Sequence, residues 1–420
     1  MQTFVVDYLN GVLDAARARD AGAVASYIPE LAAADPTPLG AALCMPDGTL
    51  YGAGDDDVLF TIQSISKPFA YALALEEHGM EQISWHVGME PSGDAFNEIS
   101  LESGTGRPDN PMINIGAITT HTLVGPAECD ERERTERVLE GLSAFAGREL
   151  DVDADVYTSE MSEAWRNLAL ASLVRANGII TEDPNAAVRG YTRQCSALVD
   201  ARDLAVMGMT LASGGINPLT RKRVVSEEVT QQVLSVMTTC GMYDTAGDWL
   251  SAVGIPAKSG VAGGLLGALP GQVGVGTFSP RLDPFGHSTR GVRVFESLSS
   301  DLNLHVMRTP PPKLDVIGRR STSRLGRRRV VLQGSLDFTS AELALRHFAK
   351  IEPGRQDVVV DLRLVPSISV AGQKMLTEGM HRLAADGHQV LCVDPHGRIG
   401  DGTGGLGSYV RRVDADPDDD

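Results

Sequence analysis

The stretch Phe60-Thr61-Ile62-Gln63-Ser64-Ile65-Ser66-Lys67-Pro68-Phe69 marks a change of hydrophobic period. Apolar alternation over 58–62 predicts a short strand, and the run from Phe69 to His78-Gly79 predicts a helix closed by its glycine. Ser64 falls where strand gives way to helix, and Lys67, three residues on, shares its face. Pro68 fits only near a helix start, because it has no N–H to give to a preceding turn. There the free backbone N–H groups and the positive end of the helix dipole favour an oxyanion or a partly ionised serine. A lysine takes a serine's proton only when burial or a second cation lowers its pKa. Ser-x-x-Lys is the smallest arrangement that supplies both partners, although alone it more often marks a serine cap beside a solvated lysine.

The surrounding chain has 420 residues, too many for one ordinary core, so one large and one small domain are expected. Its composition, 42% hydrophobic and 22% charged, is that of a soluble globular protein. A net charge of −18 argues against nucleic acid or an anionic membrane as partner. The five cysteines are scattered and never in C-x-x-C, which predicts reduced thiols rather than disulfides or a zinc site. No apolar span reaches membrane length and the N-terminus lacks a basic, apolar leader, so a cytoplasmic protein is expected.

Towards the N-terminus, 3–18 carries apolar residues at helical spacing, and Pro29 suits the first turn of a second helix. Segments 39–45 and 49–52, joined by Pro46-Asp47-Gly48, predict a β-hairpin whose neighbour is the strand that delivers Ser64. From 81 to about 250 the pattern is mainly helical. Within it, 110–118 ends a loop and begins a small-residue helix. A helix over 159–168 with a serine cap would put Glu160 and Asn167 two turns apart on one face, at roughly 10 Å, able to bracket a small zwitterion. After 250 come glycine-rich strands around a type II turn at Leu269-Pro270-Gly271-Gln272, a composition suited to close approach by another element.

Arg308-Thr309-Pro310-Pro311-Pro312-Lys313 is the clearest boundary. Beyond it, 330–336, 358–365 and 389–393 read as strands and 340–351 and 370–385 as helices, a small α/β domain. Arg319, Arg320, Arg324 and Arg327 to Arg329 predict a solvated linker face. Gly402-Thr403-Gly404-Gly405-Leu406-Gly407 matches G-x-G-x-x-G but precedes no helix, so no nucleotide site is expected there. The expected division is a catalytic domain over 1–305, a Pro/Arg-rich linker over 306–327, a small domain over 328–400 and a disordered acidic tail over 401–420.

Lys258-Ser259-Gly260 is the second signal that Ser64 and Lys67 require. Ser-x-x-Lys at a helix start with Lys-Ser-Gly on an edge strand resembles the penicillin-recognising serine hydrolases. In that arrangement the strand lends a backbone N–H to an oxyanion hole, and its lysine helps keep the first lysine neutral.

More of the chain, roughly 20–300, resembles the serine-dependent glutaminases that share this fold. The motifs are Tyr27-Ile28-Pro29-Glu30-Leu31, Gln63-Ser64-Ile65-Ser66-Lys67-Pro68, Glu90-Pro91-Ser92-Gly93, Asn110-Pro111-Met112-Ile113-Asn114-Ile115-Gly116-Ala117-Ile118, Ser159-Glu160 followed by Arg166-Asn167, Tyr191, Cys240-Gly241-Met242-Tyr243-Asp244, and Pro256-Ala257-Lys258-Ser259-Gly260-Val261-Ala262-Gly263-Gly264. The resemblance implies an α/β, β-lactamase/transpeptidase-like domain of mainly antiparallel sheet plus a helical subdomain. It implies hydrolysis of L-glutamine to L-glutamate and ammonia, without metal or organic cofactor, by a homo-oligomer. Ser64 would be the nucleophile, Lys67 its base, Tyr243 the phenol relaying protons to the leaving ammonia, and Lys258 a support. The backbone N–H groups of Ser64 and Val261 would form the oxyanion hole. Tyr27, Asn114, Glu160, Asn167 and Tyr191 would complete the substrate's shell. Glu160 is the only acid among these positions, which suits a substrate ammonium.

The last hundred residues resemble a STAS domain on Val358-Val359-Val360-Asp361-Leu362-Arg363-Leu364-Val365-Pro366-Ser367-Ile368-Ser369-Val370-Ala371-Gly372, which implies a protein partner. The aspartate and phosphorylatable serine of that pattern are replaced by Ser369 and Val370, so Ser369 is expected to cap the following helix. Two other readings are a β-lactamase or transpeptidase relative, disfavoured by the missing export signal, and a regulatory binding protein on an inactive hydrolase domain. Intact Ser64, Lys67, Tyr243 and Lys258 argue against the latter.

Overall fold

The structure, a computed structural model, describes residues 4–19, 21–92, 101–308, 316–322, 327–399 and 410–414. The proline run 310–312, Arg324 and the glycine motif 402–407 lie outside the described residues. The chain divides into two compact units, Met1–Arg308 and Thr309–Asp420.

Among the described residues of the first unit, seven strands form two sheets: β1 (Gly40–Cys44), β2 (Leu50–Gly54), β3 (Phe60–Thr61), β4 (Leu198–Val199), β5 (Ala257–Ser259), β6 (Gly264–Leu269) and β7 (Val273–Phe278). The larger sheet is antiparallel, in the order β2-β1-β7-β6-β5. Alternate residues of β1 enter different cores. Ala42 and Cys44 pack with Leu204 and Met209, whereas Ala41 and Leu43 pack with Leu9, Leu13, Phe295 and Leu298. The helices Phe4–Arg17 and Thr289–Leu302 thus cover one face and Ala201–Ala212 the other. Glycine permits the second contact: a Cβ on Gly276 would meet Ala201 O at 2.0 Å, and one on Gly274 would meet Ala205 O at 2.0 Å.

In the first unit the structure departs from two expectations. The neighbour of the β1–β2 hairpin is β7, with Gly40 opposite Phe278, and β3 pairs instead with β4. The edge of β1 is already filled, so the Ser64 segment packs at the sheet through Phe60, whose ring stacks on Phe278 at 4.2 Å. The second concerns 159–168, which is two helices, Ala154–Ser162 and Trp165–Ala176. Asp153 caps the first by accepting from Asp155 N and Val156 N, while Ser159 spends its hydroxyl on Glu30 Oε1 at 2.8 Å. Glu160 and Asn167 therefore sit on different helices. Gly79 ends one helical segment as expected, at φ 76°, but the chain resumes as helix to Ser84.

The second unit holds β8 (Ile317–Thr322), β9 (Arg328–Gln333), β10 (Val358–Leu364), β11 (Val390–Val393) and β12 (Val410–Val413), with helices Phe338–Phe348 and Val370–Ala385. The sheet order is β12-β11-β10-β9-β8, parallel except for the β8–β9 pair. Ser369 caps the second helix, its Oγ accepting from Gly372 N at 3.1 Å. β8 forms inside the expected linker and β12 inside the expected tail. Two of the arginines expected on a solvated face are paired instead: Arg329 contacts buried Asp361 at 2.7 Å, and Arg327 contacts Asp357 at 3.3 Å. In the tail, the acidic composition masks the short Val410-Arg411-Arg412-Val413 run that completes the sheet. All five cysteines are buried free thiols. No helix among the described residues is long and apolar enough to cross a membrane.

Candidate active site

Ser64 lies in the 3-10 turn Gln63–Ser66, which runs directly into the helix Lys67–Ser84. The turn is entered through Gln63 at φ 50°, a left-handed conformation that costs a side-chain-bearing residue about 1–3 kcal/mol unless neighbours enforce it. A buried chain enforces it. Ser66 Oγ donates to Gln63 O at 2.8 Å, Gln194 Nε2 donates to Ser66 Oγ at 3.0 Å, and His121 Nδ1 lies 2.9 Å from Gln194 Oε1. Burial pushes His121 down to about 4, so it is neutral and donates from Nδ1 to the amide oxygen.

Lys67 is wholly buried and donates from Nζ to Asn114 Oδ1 at 2.6 Å. Burial pushes its pKa down to about 7. Lys258, equally buried on β5, is held well below the usual lysine range, first by burial and then by the charge of Lys67. Its Nζ donates to Tyr243 Oη and to Ser259 O, both at 2.8 Å. Burial raises the Tyr243 phenol, and a hydrogen bond with Ser64 acts against that rise. Ser64, Lys67, Tyr243 and Lys258 are thereby one cluster, with a lysine able to exist uncharged near neutral pH.

A cavity of about 320 Å³ opens onto Ser64 and is lined by Tyr27, Gln63, Asn114, Glu160, Asn167, Tyr191 and Val261. Tyr27, Ser64, Asn114, Glu160, Asn167, Tyr191 and Val261 thus share one cavity, although Glu160 and Asn167 arrive from separate helices, while Tyr243, also expected to touch substrate, lines a neighbouring cavity. Tyr27 Oη donates to Glu160 Oε1 at 2.6 Å and Gln63 Nε2 does so at 3.3 Å. Burial raises the Glu160 pKa, and these two hydrogen bonds oppose the rise. Asn114 Nδ2 donates to Asn167 Oδ1 at 3.3 Å, and Tyr191 Oη lies 3.5 Å from Asn114 Oδ1. The backbone N–H groups of Ser64 and Val261 donate to no backbone carbonyl among the described residues.

Sequence reasoning gave no site role to Gln63, Glu163, Arg166, Thr192 and Cys195, although Gln63 and Arg166 stand in its motifs; all of them also line this cavity. Each is within four residues of a position singled out, so proximity in sequence was the available signal. Cys195 contacts Ser66 at 3.8 Å and hydrogen bonds with Tyr191; burial raises its thiol to about 11.

A family model described as Glutaminase matches residues 22–307. The glutaminase of Corynebacterium efficiens is 45% identical over 416 residues, 99% of this chain and 98% of that protein. The glutaminase of Corynebacterium glutamicum is 47% identical over 392 residues, 93% of this chain and 94% of the relative. A crystal structure of Mglu in its glutamate form matches with a TM-score of 0.89 and 43% identity, covering 94% of this chain and 99% of that one. The architecture is therefore the α/β fold of the glutaminase structures, with mixed sheets and many helices. The chain belongs to the glutaminase family, and its reaction is the hydrolysis of glutamine to glutamate and ammonia.

Proposed function

We propose that this hydrolysis runs through a Ser64 acyl-enzyme with Lys67 as general base. The observation that carries the reading is Lys67 itself, wholly buried beside a neutral amide, with a pKa near 7 and one helical turn after Ser64. Ser64 Oγ attacks the side-chain amide carbon as its proton passes to Lys67 Nζ. The oxyanion of the tetrahedral intermediate accepts from Ser64 N and Val261 N. Tyr243 hands a proton to the departing nitrogen and takes up in its place the one that Lys67 received from Ser64, so the C–N bond breaks and ammonia leaves with Lys67 neutral again. Water then attacks the ester carbon, giving up a proton through Lys67, and glutamate is released with Ser64 restored. Lys258 supports the relay by donating to Tyr243 Oη.

Glu160 receives the α-ammonium, and the neutral donors of Tyr27, Asn114, Asn167 and Tyr191 receive the α-carboxylate and side-chain amide. A lactam-hydrolysing relative and an inactive binding protein are both disfavoured by the family match. Added hydroxylamine tests the acyl-enzyme: γ-glutamyl hydroxamate should form at the expense of glutamate, and its absence would contradict a covalent intermediate.

The division into a catalytic unit and a smaller module with its own core is part of the same proposal, with the boundary near 308. The strand–helix order of the second unit and the Ser369 cap support a STAS-like module that receives a protein partner. A homo-oligomer in a reducing, cytoplasmic setting fits the buried thiols and the family resemblance. Light scattering of the purified protein tests the oligomer, and a monomer at micromolar concentration would contradict it.

A further inference from the structure

Tyr243 opens the 3-10 turn Tyr243–Thr245 at φ 51°, a left-handed conformation that a tyrosine adopts only when neighbours hold it. Thr245 Oγ1 spends its proton on Met242 O at 2.8 Å. With that proton engaged, His287 Nε2, 2.9 Å from Thr245 Oγ1, is the donor of the pair. A neutral imidazole that carries its proton on Nε2 accepts at Nδ1, and there Ser259 Oγ lies at 2.9 Å and donates. Burial keeps His287 neutral, pushing its pKa to about 4 against the pull of Asp283.

The imidazole is itself fixed. Asp283 Oδ1 accepts from His287 N at 2.9 Å, and Asp283 N donates to His287 O at 2.8 Å. His287 is buried, and its ring lies parallel to that of Tyr243 within 9°, with centroids 6.1 Å apart. One nitrogen thus grips the turn that carries Tyr243, and the other grips Ser259, the residue after Lys258. The Ser259 carbonyl also accepts from Lys258 Nζ, whose other bond goes to Tyr243 Oη.

We propose that His287 is a positioning residue for this reaction, its imidazole bridging Thr245 and Ser259 so that Tyr243 and Lys258 are held in register over Ser64. The proposal rests on Tyr243 being the proton relay. Loss of the bridge lets the strained turn relax, and a shift of about 1 Å in a reacting group costs about 100-fold in rate.

His287→Leu removes both bonds, and His287→Asn keeps a donor and an acceptor on one planar group. Steady-state ammonia release should show kcat reduced about 10- to 100-fold in His287→Leu, KM for glutamine within about threefold of wild type, and most of kcat restored in His287→Asn. An unchanged kcat in folded His287→Leu, a rise in KM that accounts for the loss, or no advantage of Asn over Leu would overturn the proposal. Thr245→Val and Ser259→Ala each remove one bond and give the same test where His287→Leu yields no folded protein. Both should lower kcat at constant KM, and wild-type kcat in both would overturn the bridge. Tyr243→Phe, measured in parallel, separates the two levels. Full activity there refutes the relay, whereas a low kcat in Tyr243→Phe beside a normal one in His287→Leu refutes the bridge alone.

Discussion

Lys67 Nζ and Asn114 Oδ1 are 2.6 Å apart, so the buried lysine donates to a neutral amide rather than to a carboxylate. Desolvation then acts with little opposition and brings Lys67 down to about 7. The base works when unprotonated, so kcat/KM should fall about tenfold per pH unit below that value and level off above it. Asn114→Asp places a carboxylate beside the ammonium, favours the charged lysine, and should move the acid limb to higher pH. A profile flat between mildly acidic and mildly alkaline pH would count against a lysine base.

Glu160 is held by Tyr27 and Gln63 at the cavity and is the carboxylate assigned to the substrate's ammonium. Glu160→Gln keeps shape and removes charge, so KM for glutamine should rise by about tenfold or more. An amide analogue without the α-amino group should be affected far less. Equal losses for both substrates would place Glu160 in the chemistry or the scaffold instead.

Gly276 faces Ala201 O so closely that a methyl group would sit 2.0 Å from it. Gly276→Ala should force the helix Ala201–Ala212 away from β7 and cost about 1–3 kcal/mol, measured by denaturant unfolding. An unchanged midpoint would mean that this packing yields more easily than the geometry indicates.

Much of this was legible in the sequence because it depends on local rules. The Ser369 cap, the type II turn at Pro270-Gly271, where Gln272 N donates to Leu269 O at 3.0 Å, and the antiparallel hairpin are decided within a few residues. The failures are non-local. Which strand takes the edge of β1 depends on β7, more than two hundred residues away, and the partners of Arg329 and Val410 come from other strands of the sheet. Glu160 and Asn167 line one cavity, but the expected spacing on one helix is not what unites them: tertiary packing of two helices brings them together. His287 gave no local signal, because its role exists only once Thr245 and Ser259 are neighbours.

The residues assigned to chemistry all precede Arg308, the end of the first unit. A protein ending there should fold and keep kcat and KM within about threefold of the full chain, since each unit has its own hydrophobic core. A soluble, folded truncation without activity would show that the second unit completes the site or an obligatory oligomer.

The most direct measurement is ammonia release from glutamine by Ser64→Ala, compared with wild type at equal concentration and matched thermal stability. Ser64 is half-buried at a turn and contributes at most about 1 kcal/mol as a local hydrogen-bonding group, so the variant should fold normally. The account predicts a loss of at least about 10⁴-fold in kcat, because a covalent nucleophile has no substitute in the site. Activity within about tenfold of wild type would remove Ser64 from the reaction and, with it, the acyl-enzyme.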